Sequence, residues 1–92
     1  MNKNTRLLNK AMNKDEKSKY KLTLINDDIH TILYVIQNLM IYCNHTLEQA
    51  EQCVYITHLK GQCIIKSGKS HDLAIIQSNL LDTGLDVILG KY

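Results

Sequence analysis

Proline, phenylalanine and tryptophan are all missing from this chain of 92 residues. Its core must therefore be built from Leu, Ile and Val, with five Tyr as the only aromatics besides histidine. At 45% hydrophobic content the chain can fill one small domain and not two. A domain of this size buries a modest share of its surface and is marginally stable on its own. Charge of one sign is also scarce: the formal net charge of +2 is too small to argue for a polyanionic partner. No apolar run approaches the length of a membrane span, and the N-terminus lacks the apolar region of a secretion signal, so a cytoplasmic, membrane-free protein is expected. The Lys-rich start, with two acids and a single Arg, fits a transit peptide poorly. Cysteine is sparse and odd in number: Cys43, Cys53 and Cys63 show no C-x-x-C spacing, which argues against both a disulfide framework and a zinc site. Reduced thiols are expected. Asn44-His45-Thr46 fits a glycosylation acceptor pattern but, without a secretion signal, reads as accidental.

The charge that is present is unevenly placed. Residues 1–19 hold six Lys/Arg against two acids, while residues 20–92 hold five against seven. The first segment is polar and aperiodic and is expected to be a flexible basic arm, with one folded domain over 20–92. Tyr20-Lys-Leu-Thr-Leu-Ile25 alternates as a half-buried strand, with Tyr20, Leu22 and Leu24 on one face. After an Asn26-Asp27-Asp28 turn, Ile32, Val35, Ile36, Leu39 and Cys43 recur at helical spacing, with His30 or Thr31 near the cap. Thr46 and Gln49 form a capping-box pair for a second helix, carrying Leu47, Ala50, Cys53, Val54 and Thr57 on one face and closing at Gly61. Cys63–Lys66 reads as a short strand and Ser67-Gly68-Lys69 as a turn. Ser70 is placed to cap a third helix with Leu73, Ile76, Leu80 and Leu81, closing at Gly84, and Leu85, Val87 and Leu89 alternate as a last strand. The order β-α-α-β-α-β predicts an α+β domain: a three-stranded sheet with three helices packed on one face.

Few residues carry chemistry. Asn and Asp at a strand end most often make side-chain turns and helix caps, so the bland reading of Asn26, Asp27 and Asp28 is a turn. His58 lies near the end of the second helix, beside the face of Val54 and Thr57, where a histidine is more often a helix-end residue than a functional one. His30, His45 and His71 fall in connections or caps without a ligand partner one turn away, so no metal is expected. The cysteines sit on apolar faces, where thiols behave as small hydrophobes. Gly68-Lys69-Ser70 lacks the upstream glycine of a phosphate loop, and the basic arm has no interleaved aromatics, so no nucleic acid is expected.

Tyr20-Lys-Leu-Thr-Leu-Ile-Asn-Asp-Asp28, together with Glu48-Gln49-Ala50 and His58-Leu-Lys-Gly61, resembles the ClpS family, the adaptors of bacterial Clp proteases. The resemblance covers residues 20–89 and shares the element order. It implies a non-enzymatic, cofactor-free adaptor that binds substrate proteins beginning with Leu, Phe, Tyr or Trp (N-degrons) and passes them to a ClpA/ClpC-class AAA+ unfoldase, docking on its N-domain; a monomer is expected. The substrate's α-ammonium has three donors and no acceptor, so leaving water requires about three acceptors. Asn26, Asp27 and a neutral His58 would supply them, with Asp28 steadying the turn or adding negative potential. The substrate side chain would enter a pocket walled by Ile32, Val35, Val54, Thr57 and Leu85. This chain departs from the family where His30-Thr31-Ile32 replaces the usual Thr-Pro-Met, so Ile32 stands where a pocket-gating Met is common, and Thr57 stands where Val is frequent. Ser70-His71-Asp72-Leu73 also differs from the family's usual unfoldase-docking face. Two other readings compete: a small protein–protein interaction domain of the same fold, and a minor hydrolase using Asp27 and His58. Of the three, only the adaptor reading requires Asn26, Asp27 and His58 to converge.

Overall fold

A computed structural model describes residues 19–92, so all but the last residue of the expected basic arm lies outside the described residues. Three strands and three helices run in the order β1 (Tyr20–Ile25), α1 (Ile32–Cys43), α2 (Leu47–Lys60), β2 (Gln62–Gly68), α3 (Ser70–Asp82) and β3 (Val87–Lys91). The sheet order is β2-β1-β3, and β1 runs antiparallel to both neighbours. The expected α+β architecture is the one observed.

Alternation along β1 decides which face the helices cover. Leu22 and Leu24 are buried in one core with Ile36, Leu39 and Cys43 of α1, Ala50 of α2, Leu80 of α3, and Ile65, Leu85 and Val87. On the opposite face Thr23 is flanked by Ile64 and Ile88, both of which remain substantially exposed. The helices therefore cover one side of the sheet only, as period-2 patterning requires.

Local signals fix most boundaries. The Thr31 side chain accepts from Tyr34 N at 3.1 Å and caps α1. Thr46 and Gln49 exchange the reciprocal bonds of a capping box at 2.9 and 3.1 Å. Gly61, at φ +86°, ends α2 in the left-handed conformation and donates its N–H to Thr57 O at 2.8 Å.

Three boundaries differ from expectation, two because strand pairing overrides local preference and one because a helix cap reaches past its glycine. Strand β2 does not stop at Lys66: Ser67 and Gly68 pair with Lys21 and Tyr20, so the turn expected at Ser67-Gly68-Lys69 is mostly strand. A register shift opposite Leu22 and Thr23 leaves Ile65 as the extra residue. Ile65 is buried, and the neighbouring Lys66 reaches Cys43 O with its Nζ at 2.9 Å, an example of a bulge re-aiming side chains. Because β2 runs through Gly68, only Lys69 remains to precede α3; it takes the N-cap position without a side-chain cap bond, and Ser70 is already helical. Finally, Leu85 is not in a strand. Its N–H donates to Leu80 O at 3.2 Å and its side chain is 2% exposed, so it closes the core beneath the end of α3.

Leu22 is fully buried at the centre of this arrangement. Leu22→Ala should cost about 2–5 kcal/mol, whereas Thr46→Ala, which removes half of a surface cap, should cost about 1 kcal/mol. Urea denaturation of the two variants checks this. Equal losses would mean that the core is not organised on β1.

Candidate functional site

Two backbone hydrogen bonds anchor the end of β1. Ile25 N donates to Asp86 O at 2.9 Å and Asn26 N donates to Gly61 O at 3.0 Å. The second bond ties the turn after β1 to the cap of α2, three residues beyond His58. Residues far apart in sequence are brought together there.

Beyond Asn26 the chain folds around the Asp27 carboxylate. Its Oδ1 accepts from Ile29 N at 3.0 Å and His30 N at 2.9 Å, a side-chain turn of the kind aspartate forms. Its Oδ2 lies 3.1 Å from His30 Nδ1. An ionised carboxylate only accepts, so Nδ1 is the donor here. Burial pushes the Asp27 carboxyl up, but the bonds from the His30 backbone, the His30 ring and the Ile29 backbone, with the charge of that ring, pull it below its ordinary 3.8. The His30 ring stacks on Tyr34, with centroids 5.0 Å apart and planes 13° from parallel. Tyr34 in turn donates its hydroxyl to Thr83 O. Gly84, at φ +91°, approaches the other edge of the imidazole so closely that a Cβ would lie 3.0 Å from His30 Nε2.

Beside this turn lies a cavity of about 70 Å³. On a scale where one water needs roughly 10–15 Å³, it can hold several heavy atoms, the size class of one apolar side chain. Seven of the nine residues anticipated from the sequence line it: Asn26, Asp27 and His58, with Ile32, Val35, Val54 and Thr57. Leu24, Ile25 and His30 complete the lining. Two anticipated residues are not brought in. Asp28 is outside the lining, and Leu85 is packed into the core rather than into a pocket wall. The Thr57 hydroxyl donates to Cys53 O at 2.7 Å within α2, so it adds no unpaired polar group to the wall. A second, shallower groove of about 240 Å³ shares Ile32, Val54 and His58 with the first and continues over Ile36, Glu51 and Tyr55.

His30 is the residue that sequence reasoning passed over as part of a connection. Its signal was the Asp27-x-x-His30 spacing, which lets an imidazole return to the aspartate that starts the turn. The cysteines are free. Burial above all raises Cys43 to about 11, against the pull of Lys66. Burial, with the neighbouring Cys63 and Cys43 thiols, raises Cys53 to about 12. Neither is a thiolate nucleophile. The arrangement can do one thing well: offer several hydrogen-bond acceptors, one of them anionic, beside an apolar cavity.

Because Asp27 is held below its ordinary value, its ionised form stabilises the fold at pH values above about 3.8, and that contribution is lost as the pH falls through the lowered value. Thermal midpoints from about pH 5 to about pH 2 should fall less steeply for Asp27→Asn than for the natural protein. Parallel curves would show that the turn does not favour the carboxylate.

A family model shares the sequence pattern, and a solved structure shares the shape. Residues 15–84 match the family model described as ATP-dependent Clp protease adaptor protein ClpS. No curated protein matches the chain by sequence. Among solved structures, Agrobacterium tumefaciens ClpS2 bound to L-phenylalaninamide superposes with a TM-score of 0.78. The match is 16% identical, covering 82% of this chain and 98% of that one. At that identity the likeness establishes the fold.

Proposed function

The chain belongs to the ClpS family of ATP-dependent Clp protease adaptors, and from that premise we propose that it binds the exposed N-terminal residue of substrate proteins and delivers them to a Clp-type AAA+ unfoldase of the ClpA/ClpC class. The observation that carries the proposal is that Asn26, Asp27 and His58 line the same cavity as Ile32, Val35 and Val54. An α-ammonium loses its hydration on docking and must find acceptors for three N–H groups. The Asn26 amide oxygen, the Asp27 carboxylate and a neutral His58 nitrogen provide one each. The attached side chain, if apolar, fills the cavity and gains the free energy of leaving water. Leu, Phe, Tyr and Trp meet both requirements. Asp28, outside the lining, adds negative potential near the ammonium. The next residues of the substrate leave along the groove over Ile36 and Tyr55. The relative bound to phenylalaninamide supports this reading, since that ligand combines a free α-amino group with an apolar side chain.

The role is binding, not bond cleavage. An ammonium clamp uses Asp27 and His58 as acceptors, with no step in which either moves a proton. A cytoplasmic setting is part of this reading; among the described residues no helix is long and apolar enough to cross a membrane. In this reading the basic segment 1–19 contacts the unfoldase during transfer.

Ile32 tunes which side chains fit. It is 65% exposed at the start of α1 and lines both the cavity and the groove. Branched at Cβ, it is stiff at χ1 and presents a fixed wall, whereas a Met there would adapt to its ligand.

Two titrations test the proposal. A peptide beginning with Leu should bind, and its N-acetylated form should not, because acetylation removes the charge and two donors. Asp27→Ala should weaken binding at least about tenfold, the cost of a charge-assisted hydrogen bond. Equal affinity for free and acetylated peptides would end this reading. In the second, Ile32→Met should shift the ranking of Leu, Phe and Tyr peptides from aromatics towards Leu by about 1–3 kcal/mol without abolishing binding. Identical rankings would remove residue 32 from the gate.

A further inference from the structure

His30 supplies no acceptor to the ammonium clamp, yet among the described residues it is the side chain bonded to the Asp27 carboxylate. An ionised carboxylate offers about four lone-pair sites. Three are occupied within the turn: Ile29 N–H and His30 N–H on Oδ1, and the His30 ring on Oδ2. One remains, on Oδ2. We propose that His30 is a positioning residue and a determinant of ligand class: its Nδ1–H fixes the direction of the last free lone pair of Asp27, so that the carboxylate accepts one N–H of a primary ammonium and no more. The inference rests on the amino-terminus reading of the site.

The ring is well held for that task. Tyr34 of α1 stacks on its face and is itself bound to Thr83 O at the end of α3. Gly84 closes on its Nε2 edge, where a Cβ would lie 3.0 Å from the ring and press it out of place. The direction of the carboxylate is thus set jointly by the turn, by α1 and by the connection between α3 and β3. A carboxylate on a flexible turn could rotate to take two N–H groups at once and would tolerate a ligand with only two. Held as it is, Asp27 supplies one acceptor, and Asn26 and His58 must supply the other two. Each N–H of the ligand then has its own partner, and a secondary ammonium leaves one acceptor unmet. The ligand class is therefore a primary α-amine, with N-methylated and N-terminal proline peptides disfavoured although they keep their charge.

Three variants separate this role from general support of the turn. His30→Asn places an amide nitrogen where the imidazole Nδ1 stands, His30→Gln moves the donor out to the Nε2 position, and His30→Ala has none. Each is titrated with a Leu-initiated peptide in its free, N-methylated and N-acetylated forms, with thermal midpoints recorded alongside. The natural protein should prefer the free peptide over the N-methylated one by about five- to tenfold, the effect of one hydrogen bond. His30→Ala and His30→Gln should lose most of that preference, and His30→Asn should restore it whatever its thermal midpoint. Loss of affinity in His30→Ala with the free-to-methylated ratio unchanged, or failure of His30→Asn to restore the ratio, would overturn the role of His30 while leaving the clamp intact. Equal binding of free and acetylated peptides by the natural protein would overturn the clamp itself, and the role of His30 with it.

Discussion

The backbone bond from Asn26 N to Gly61 O is the constraint on which the site depends. Asn26 is the first residue past the central strand, and Gly61 is the left-handed cap of α2. Joining them sets the turn against the last turn of the helix that carries His58. The matching bond from Ile25 N to Asp86 O fastens the same point to the start of β3. The strand end is therefore held from both sides, and the Asn26–Asp28 turn has little freedom. Gly61 matters here because its positive φ turns its carbonyl back towards the sheet instead of along the helix.

A turn and a clamp usually compete as explanations for an Asn-Asp-Asp run. Here one carboxylate can serve both, because its two oxygens are divided. Oδ1 closes the turn and Oδ2 faces the His30 ring with a lone pair to spare. The turn also keeps the group ionised, since the hydrogen bonds that shape it favour the charged form over the neutral one. The local structure that positions the anion is thus also what preserves its charge.

Much of the fold was legible in the sequence because its signals are local. The Thr46–Gln49 capping box, Gly61 and the alternation of Leu22 and Leu24 all act within a few residues and are found where expected, and of the two candidates for the first cap, Thr31 and His30, the cap is Thr31. The misreadings have two causes: pairing with a distant strand, and a helix cap that reaches past its glycine. Ser67 and Gly68 favour a turn by type but are drawn into β2 by Lys21 and Tyr20. Leu85 fits the alternation of a strand but is held by Leu80 and buried under the end of α3. The grouping of Asn26, Asp27 and His58 came from family resemblance, and spacing alone could not have placed them around one cavity. His30 was missed for the opposite reason: its link to Asp27 is local, but a histidine in a connection carries no periodic signal, and the ring is fixed by Tyr34 and Gly84 from elsewhere in the chain.

The most direct test of an ammonium site beside an apolar pocket is to remove the ammonium and keep everything else. Leucinamide and its desamino analogue share the same side chain and the same amide, and differ only in the nitrogen on Cα. Titration of each into the ¹⁵N-labelled protein, monitored by NMR, reports both affinity and place. If the clamp is correct, leucinamide saturably shifts the amides of residues 26–30 and of the last turn of α2, and the desamino analogue shifts neither. Equal saturation by the two compounds, or shifts confined to α3 and the open face of the sheet, would contradict it.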